Sequence, residues 1–167
     1  MDIFIKNKKL ILLVCVTLLV VVLVFRITNN NASVASEKIA KKYVESMLSG
    51  NASKTVSYMS KYCVSESEYE TKKLFTNALD EKIDEAIDIY KDKYGSNWDY
   101  EVDVIDSVEY STSEYPELCE YYDFDGIMKV YLEVKHTGGL FFTHKEETEE
   151  FEVLLAKEDG DWVVVAW

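Results

Sequence analysis

Histidine, cysteine and proline are all scarce in this 167-residue chain, at two, three and one copies. The two imidazoles, His136 and His144, stand eight residues apart, and there is neither an HExxH segment nor a paired CxxC. The common zinc patterns are therefore excluded, and no catalytic, cofactor-binding or metal-ligating set can be named from the sequence. With a single proline and 48% apolar residues, the chain does not have the composition of a low-complexity disordered protein. Positive charge is short as well, with 18 Lys and Arg against 31 Asp and Glu for a net charge of −13. A surface this acidic repels phosphate backbones, which argues against direct nucleic-acid binding.

The charge is unevenly placed. The first 26 residues carry +3, from Lys6, Lys8, Lys9 and Arg26 against Asp2, so residues 27–167 carry −16. Between the basic groups lies Leu10–Phe25, sixteen residues without a charge and apolar on every side. A soluble amphipathic helix would show polar residues every third or fourth position; this segment reads as a transmembrane helix. It is short for a hydrocarbon core of about 30 Å, and Lys8, Lys9 and Arg26 are placed to snorkel from its ends. The basic cluster before it predicts a cytoplasmic N-terminus and an extracellular C-terminal domain at the plasma membrane. The competing reading is a cleaved signal peptide ending at Ser33-Val34-Ala35, but Arg26 and three Asn intervene. A lipoprotein signal fits less well, since Val14 and not a small residue precedes Cys15. The predicted organisation is residues 1–27 as cytoplasmic stub and anchor, 28–35 as a polar spacer, and 36–167 as one extracytoplasmic domain.

Within that domain, helical periodicity comes first. Ser36 is a candidate cap for a helix carrying Ile39, Tyr43, Val44, Met47 and Leu48 up to Gly50. Asn51 or Ser53 starts a second helix through Val56, Tyr58 and Met59. A third, from about Ser67 to Tyr94, has the apolar stripe Leu74, Phe75, Ala78, Leu79, Ile83, Ala86, Ile87 and Tyr90, with Gly95 as its stop. After Gly95 the period becomes two. Tyr100, Val102 and Val104 lead a strand that resumes at Val108 and Tyr110 after an irregularity near Ile105. An acidic connection at 111–126 with one helical turn follows. Met128, Val130, Leu132 and Val134 mark a second strand, and Thr137-Gly138-Gly139 reads as a turn. Phe151, Val153 and Leu155 mark a third strand, and Trp162–Trp167, after the turn Glu158–Asp161, a fourth. Helices first and antiparallel strands second predict an α+β fold, with about three helices on one face of a curved sheet of about four strands.

The helix SEKIAKKYVESMLSGN, its continuation ASKTVSYMSKY and the closing hairpin FEVLLAKEDGDWVVVAW resemble the nuclear transport factor 2-like superfamily, a cone of helices wrapped by a curved sheet. The likeness is to small extracytoplasmic, membrane-anchored members of Gram-positive bacteria and covers roughly residues 36–167. That superfamily includes enzymes, ligand binders and assembly scaffolds, so the resemblance implies a fold and leaves the activity open. Its ketosteroid isomerase-like enzymes place an Asp base or an Asp–His pair inside the cone. Here His136 and His144 flank a turn and are expected at an exposed hairpin tip, and Asp103 is expected to point to solvent.

Other candidates are set against plainer readings. Asp123-Phe124-Asp125-Gly126 has part of a calcium-loop pattern, but aligning its glycine puts Tyr121 and Leu132 where carboxylates belong. Cys63 and Cys119 would close a 57-residue loop worth about 3–4 kcal/mol if bonded, or stand as separate thiols. Asn31-Ala32-Ser33 and Asn51-Ala52-Ser53 are sequons that matter only in a eukaryotic secretory pathway. Tyr43, Tyr90 and Tyr131 are the candidate ligand-pocket residues, because tyrosine offers an apolar face and a polar tip. The leading functional expectation is a membrane-tethered domain that binds a partner protein or small ligand without catalysis. The alternatives are an isomerase, lyase or hydrolase of the same fold, a bitopic scaffold of a secretion or conjugation machine, and an immunity protein.

Overall fold

The computed structural model describes residues 32–139 and 143–166. The expected membrane anchor at Leu10–Phe25 and the turn residues Phe141-Phe142 lie outside them. Among the described residues, no helix is long and apolar enough to cross a membrane. Residues 35–167 form one compact unit.

The first helix, α1, runs over residues 32–48 and so begins before the expected cap Ser36, which is buried inside it. Nothing in Ala32–Ala35 breaks a helix, so the second half of the polar spacer is helical. Ala40, Tyr43, Val44 and Leu48 form its buried face at spacings of three and four. Gly50 takes φ 74 and stops it. Asn51 then caps α2 (Ala52–Ser57) by accepting from the Lys54 amide. Helix α3 (Lys61–Ser65), capped by Ser60, was not expected. The long helix α4 (Lys72–Tyr94), capped by Thr71, starts five residues later than Ser67 and ends at Gly95 with φ 96.

Of the eight apolar positions expected to be buried on α4, only Ile83 and Ile87 are; Leu74 is 47% exposed and Ala86 is also exposed. The helix packs chiefly on α2 rather than lying flat along the sheet, so one side of its stripe stays open.

The sheet is an antiparallel meander in the order β1 (Asp99–Tyr110), β2 (Ile127–Gly138), β3 (Lys145–Glu158), β4 (Asp161–Ala166). A bulge between Val104 and Asp106, where an irregularity was expected, changes which face each later residue of β1 uses. Val102 and Val104 face the helices with Val134 and Leu132. Beyond the bulge Ser107 takes that face, its hydroxyl 2.7 Å from Glu37 of α1, while Tyr110 turns to the other side. Glu158–Asp161 closes β3 and β4 with Asp159 at φ 52 and Gly160 at φ 93, as a primed two-residue turn requires. Residues 58–60 clasp the outer edge of β4 through Ser60 N to Val164 O (2.9 Å) and Val164 N to Tyr58 O (2.8 Å).

The main core joins Tyr43, Val44, Val56 and Met59 from the helices to Val130, Leu132, Val134, Val153, Leu155 and Val164 from the sheet. Each such side chain contributes about 1.5–3 kcal/mol by leaving water. The helices do not all lie on one face. The 111–126 connection folds as a 3-10 turn (Thr112–Glu114) and α5 (Pro116–Tyr122), whose Leu118 and Tyr122 cover Ile127 and Ala156 on the opposite side. The single expected helical turn is thus two pieces, because Pro116 starts a helix at its first position.

Candidate functional site: an aromatic and carboxylate cleft

Period-two alternation carries β2 further than expected. It does not turn at Thr137 but continues to Gly138, and Val130, Leu132, Val134 and His136 therefore all face the helices. His136 is 1% exposed, which corrects the expectation of an exposed tip; His144 lies beyond the strand with its side chain 71% exposed. The strand end can approach α4 this closely because residue 138 is glycine: a Cβ there would sit 2.8 Å from the Cβ of Tyr94.

Around His136 the aromatic rings lie nearly parallel. Tyr90 stacks on it at 4.5 Å between centroids, Tyr94 at 5.5 Å and Trp98 at 5.9 Å. The Trp98 indole N–H donates to His136 Nδ1 at 3.1 Å. An indole only donates, so Nδ1 is unprotonated and the neutral ring carries its proton on Nε2. That nitrogen lies 3.4 Å from Glu149 Oε2, at an angle that makes no hydrogen bond. Burial holds the imidazole pKa below its usual value, against the opposing pull of Glu149.

Two glutamates of β3 face the same helix. Glu149 accepts from the Tyr90 hydroxyl at 2.8 Å, and Glu147 accepts from the Tyr94 hydroxyl at 2.6 Å and from Lys93 at 2.5 Å. The Lys93 ammonium and the Tyr94 hydroxyl hold the Glu147 carboxyl below the usual carboxylate range. Burial, reinforced by Glu149, raises the Tyr90 phenol. Ala86, Ile89, Tyr90, Lys93 and Tyr94 on the helix and residues 147–149 on the strand enclose about 440 Å³. This is within the size range of small-ligand sites, and it combines aromatic faces with fixed carboxylates. A larger hollow of about 670 Å³ is lined by α5 alone and is an outer helix surface.

The three expected pocket tyrosines are not brought together. Tyr90 is a wall of the cleft. Tyr43 is fully buried in the core, where loss of solvent raises its phenol pKa. Tyr131 alternates to the other face of β2, beside Tyr110, Lys129 and Glu152. Cys63 and Cys119 are free thiols; Cys63 donates to the Val164 and Val165 carbonyls, and burial raises its pKa. Asp103 is exposed and 3.6 Å from Lys41. In the segment with a partial calcium pattern, Phe124 is buried and Asp125 bonds its amide to Lys157 O at 3.0 Å, which makes it a pinned turn. Among the described residues, no group of three or more His, Cys, Asp or Glu converges on a metal position.

Sequence reasoning missed Tyr94, Trp98, His136, Glu147 and Glu149 as a unit. The available signals were the four-residue step from Tyr90 to Tyr94 and the unbroken alternation from Val130 to His136. Reading Thr137-Gly138-Gly139 as a turn hid the second.

No family model and no curated protein matches the chain. Among solved structures it is similar to a provisionally assigned NTF2-like transpeptidase from Campylobacter jejuni. The two share 19% identity over 78% of this chain and 97% of that one, with a TM-score of 0.48. At that level the reading of the site rests on this chain's own residues.

Proposed function

We propose that this protein is a bacterial, membrane-anchored recognition domain of nuclear transport factor 2-like architecture, which binds a partner through the α4–β3 cleft without catalysing a reaction. The carrying observation is the filled interior. Where a catalytic member would need a cavity and a buried acid, Leu132 and Val153 are fully buried, Ile83 nearly so, and Leu79 packs against them. Among the described residues no Asp or Glu is buried. The one buried imidazole has its basic nitrogen committed to Trp98, and Glu147 is held ionised by Lys93, so neither is poised to accept a proton. What remains is a surface cleft of rigid aromatic rings and fixed charge, the material of binding sites.

The charge pattern and the apolar run Leu10–Phe25 support the anchored, extracytoplasmic form of this reading. Two measurements on the full-length chain in intact bacteria test it. External protease should remove a C-terminal tag while the N-terminus stays protected in the membrane fraction; a protected C-terminus sinks the topology. A photo-crosslinking residue replacing Ile89 should give a discrete adduct that the same probe at Ile105, remote from the cleft, does not. Equal labelling at both positions, or none at Ile89, rejects the cleft.

A further inference from the structure

The cleft has an unusual second wall, because three consecutive strand residues, 147–149, line it rather than every other one. A groove that touches both faces of a strand in succession is touching its edge. The pairing explains why. β4 joins β3 only from Leu154 to Glu158, whereas β2 pairs with β3 along its whole length back to Lys145. Among the described residues, the side of β3 away from β2 is therefore unpaired over residues 145–153. Amides and carbonyls along it have no ladder partner, which is the template that strand addition uses.

Its chemistry narrows the occupant. Lys145–Glu152 holds five glutamates against one lysine. A second copy of the same edge, laid alongside, would set glutamate against glutamate, so self-pairing is disfavoured. A basic strand would find complementary charge. Alternate residues of an added strand point to alternate faces, so every second side chain would enter the groove over Ile89 and Tyr90. A lysine or arginine fits there, its methylenes on the apolar wall and its charge over the tyrosine ring or at a carboxylate. Glu149 accepts from the Tyr90 hydroxyl through Oε2, and Glu150 on the other face makes no ion pair among the described residues.

We propose that residues 145–153 of β3 accept an extended, basic segment of a partner protein as an added strand, with alternate basic side chains seated in the α4–β3 groove. This rests on the reading of the cleft as a recognition site and names the class of partner. The probe is an eight-residue peptide alternating lysine and valine, added to the detergent-solubilised full-length chain and followed by amide hydrogen exchange. It should slow exchange at edge-facing amides within 145–153 at least tenfold. The same peptide N-methylated at alternate residues keeps its charge but cannot form the ladder, and should give no such protection. The Glu149→Gln/Glu150→Gln variant should weaken binding of the unmodified peptide about tenfold. Equal protection by both peptides would make the contact purely electrostatic and overturn strand addition. No protection by either would mean that the glutamates only guard the edge. In both cases an adduct at position 89 would leave the recognition site standing, so the two ideas fail separately.

Discussion

Gly138 and His136 lie two residues apart on β2 and set the geometry of the cleft from opposite directions. Gly138 matters for what it omits. Any side chain would meet both the backbone and the Cβ of Tyr94, displacing the residue whose hydroxyl holds Glu147. Gly138→Ala should cost about 1–3 kcal/mol, the usual penalty for overpacking, read as a lowered denaturant midpoint of the full-length chain. His136 matters for its proton. Its pKa is lowered in the folded state, so below the unfolded value of about 6.5 the unfolded chain binds the proton more readily. Stability from this group is complete above about pH 6.5 and declines as pH falls below it. Charging Nδ1 would also set two N–H donors against each other and break the Trp98 contact. His136→Gln should flatten the stability profile between about pH 7 and 5 relative to the parent. The separate fall at lower pH, from Glu146 and Glu147 whose pKa values are depressed, should persist in the variant.

Among the elements, β1 shows how one residue directs a whole strand. The bulge at Ile105 lets Val102 and Val104 join the helix-side core while Tyr110 joins the α5-side cluster. Ile105 itself is 55% exposed. Ile105→Ala should therefore change stability by less than about 1 kcal/mol, and deletion of Ile105 should leave cooperative unfolding intact, since it is the extra residue of the bulge and Asp106 and Ser107 would still fall opposite Tyr131 and Val130. Loss of the cooperative transition in the deletion variant would refute this account of the register. The irregularity was legible in the sequence because Tyr100-Val102-Val104 and Val108-Tyr110 keep the same parity yet are interrupted by Ile105-Asp106. The α+β order, the Asn51 cap and the Gly95 stop were legible for equally local reasons. Burial on α4 was not. Periodicity reports that a helix has an apolar stripe, but which part is covered depends on its tilt against α2 and the sheet, and no residue of α4 encodes that alone. The site suffered similarly: Tyr90 is local in character, whereas its partners come from the α4–β1 connection (Trp98), β2 (His136) and β3 (Glu149).

For the whole molecule, the charge of −16 on residues 27–167 is a standing cost. Several glutamates are paired, as with Lys93, Lys129 and Lys135, but these pairs are exposed and contribute little. Self-repulsion should therefore dominate the salt response. Raising ionic strength from about 0.01 to 0.1 M shortens the Debye length from about 30 to 10 Å and should raise the thermal midpoint. A midpoint that falls would mean that the ion pairs outweigh the repulsion. The same field should keep the domain off anionic vesicles at neutral pH.

The clasp between residues 58–60 and Val164 has a consequence for the order of assembly. In a meander each strand can add to the one made just before it, so most of the sheet grows as the chain emerges. The clasp cannot. Met59 and Val164 are bridged across more than a hundred intervening residues, and Cys63 waits for the same stretch of backbone. The first helices to be synthesised must therefore hold Val56 and Met59 in water until the last strand arrives. During synthesis, the segment between α1 and α3 would be the longest exposed to proteases and chaperones.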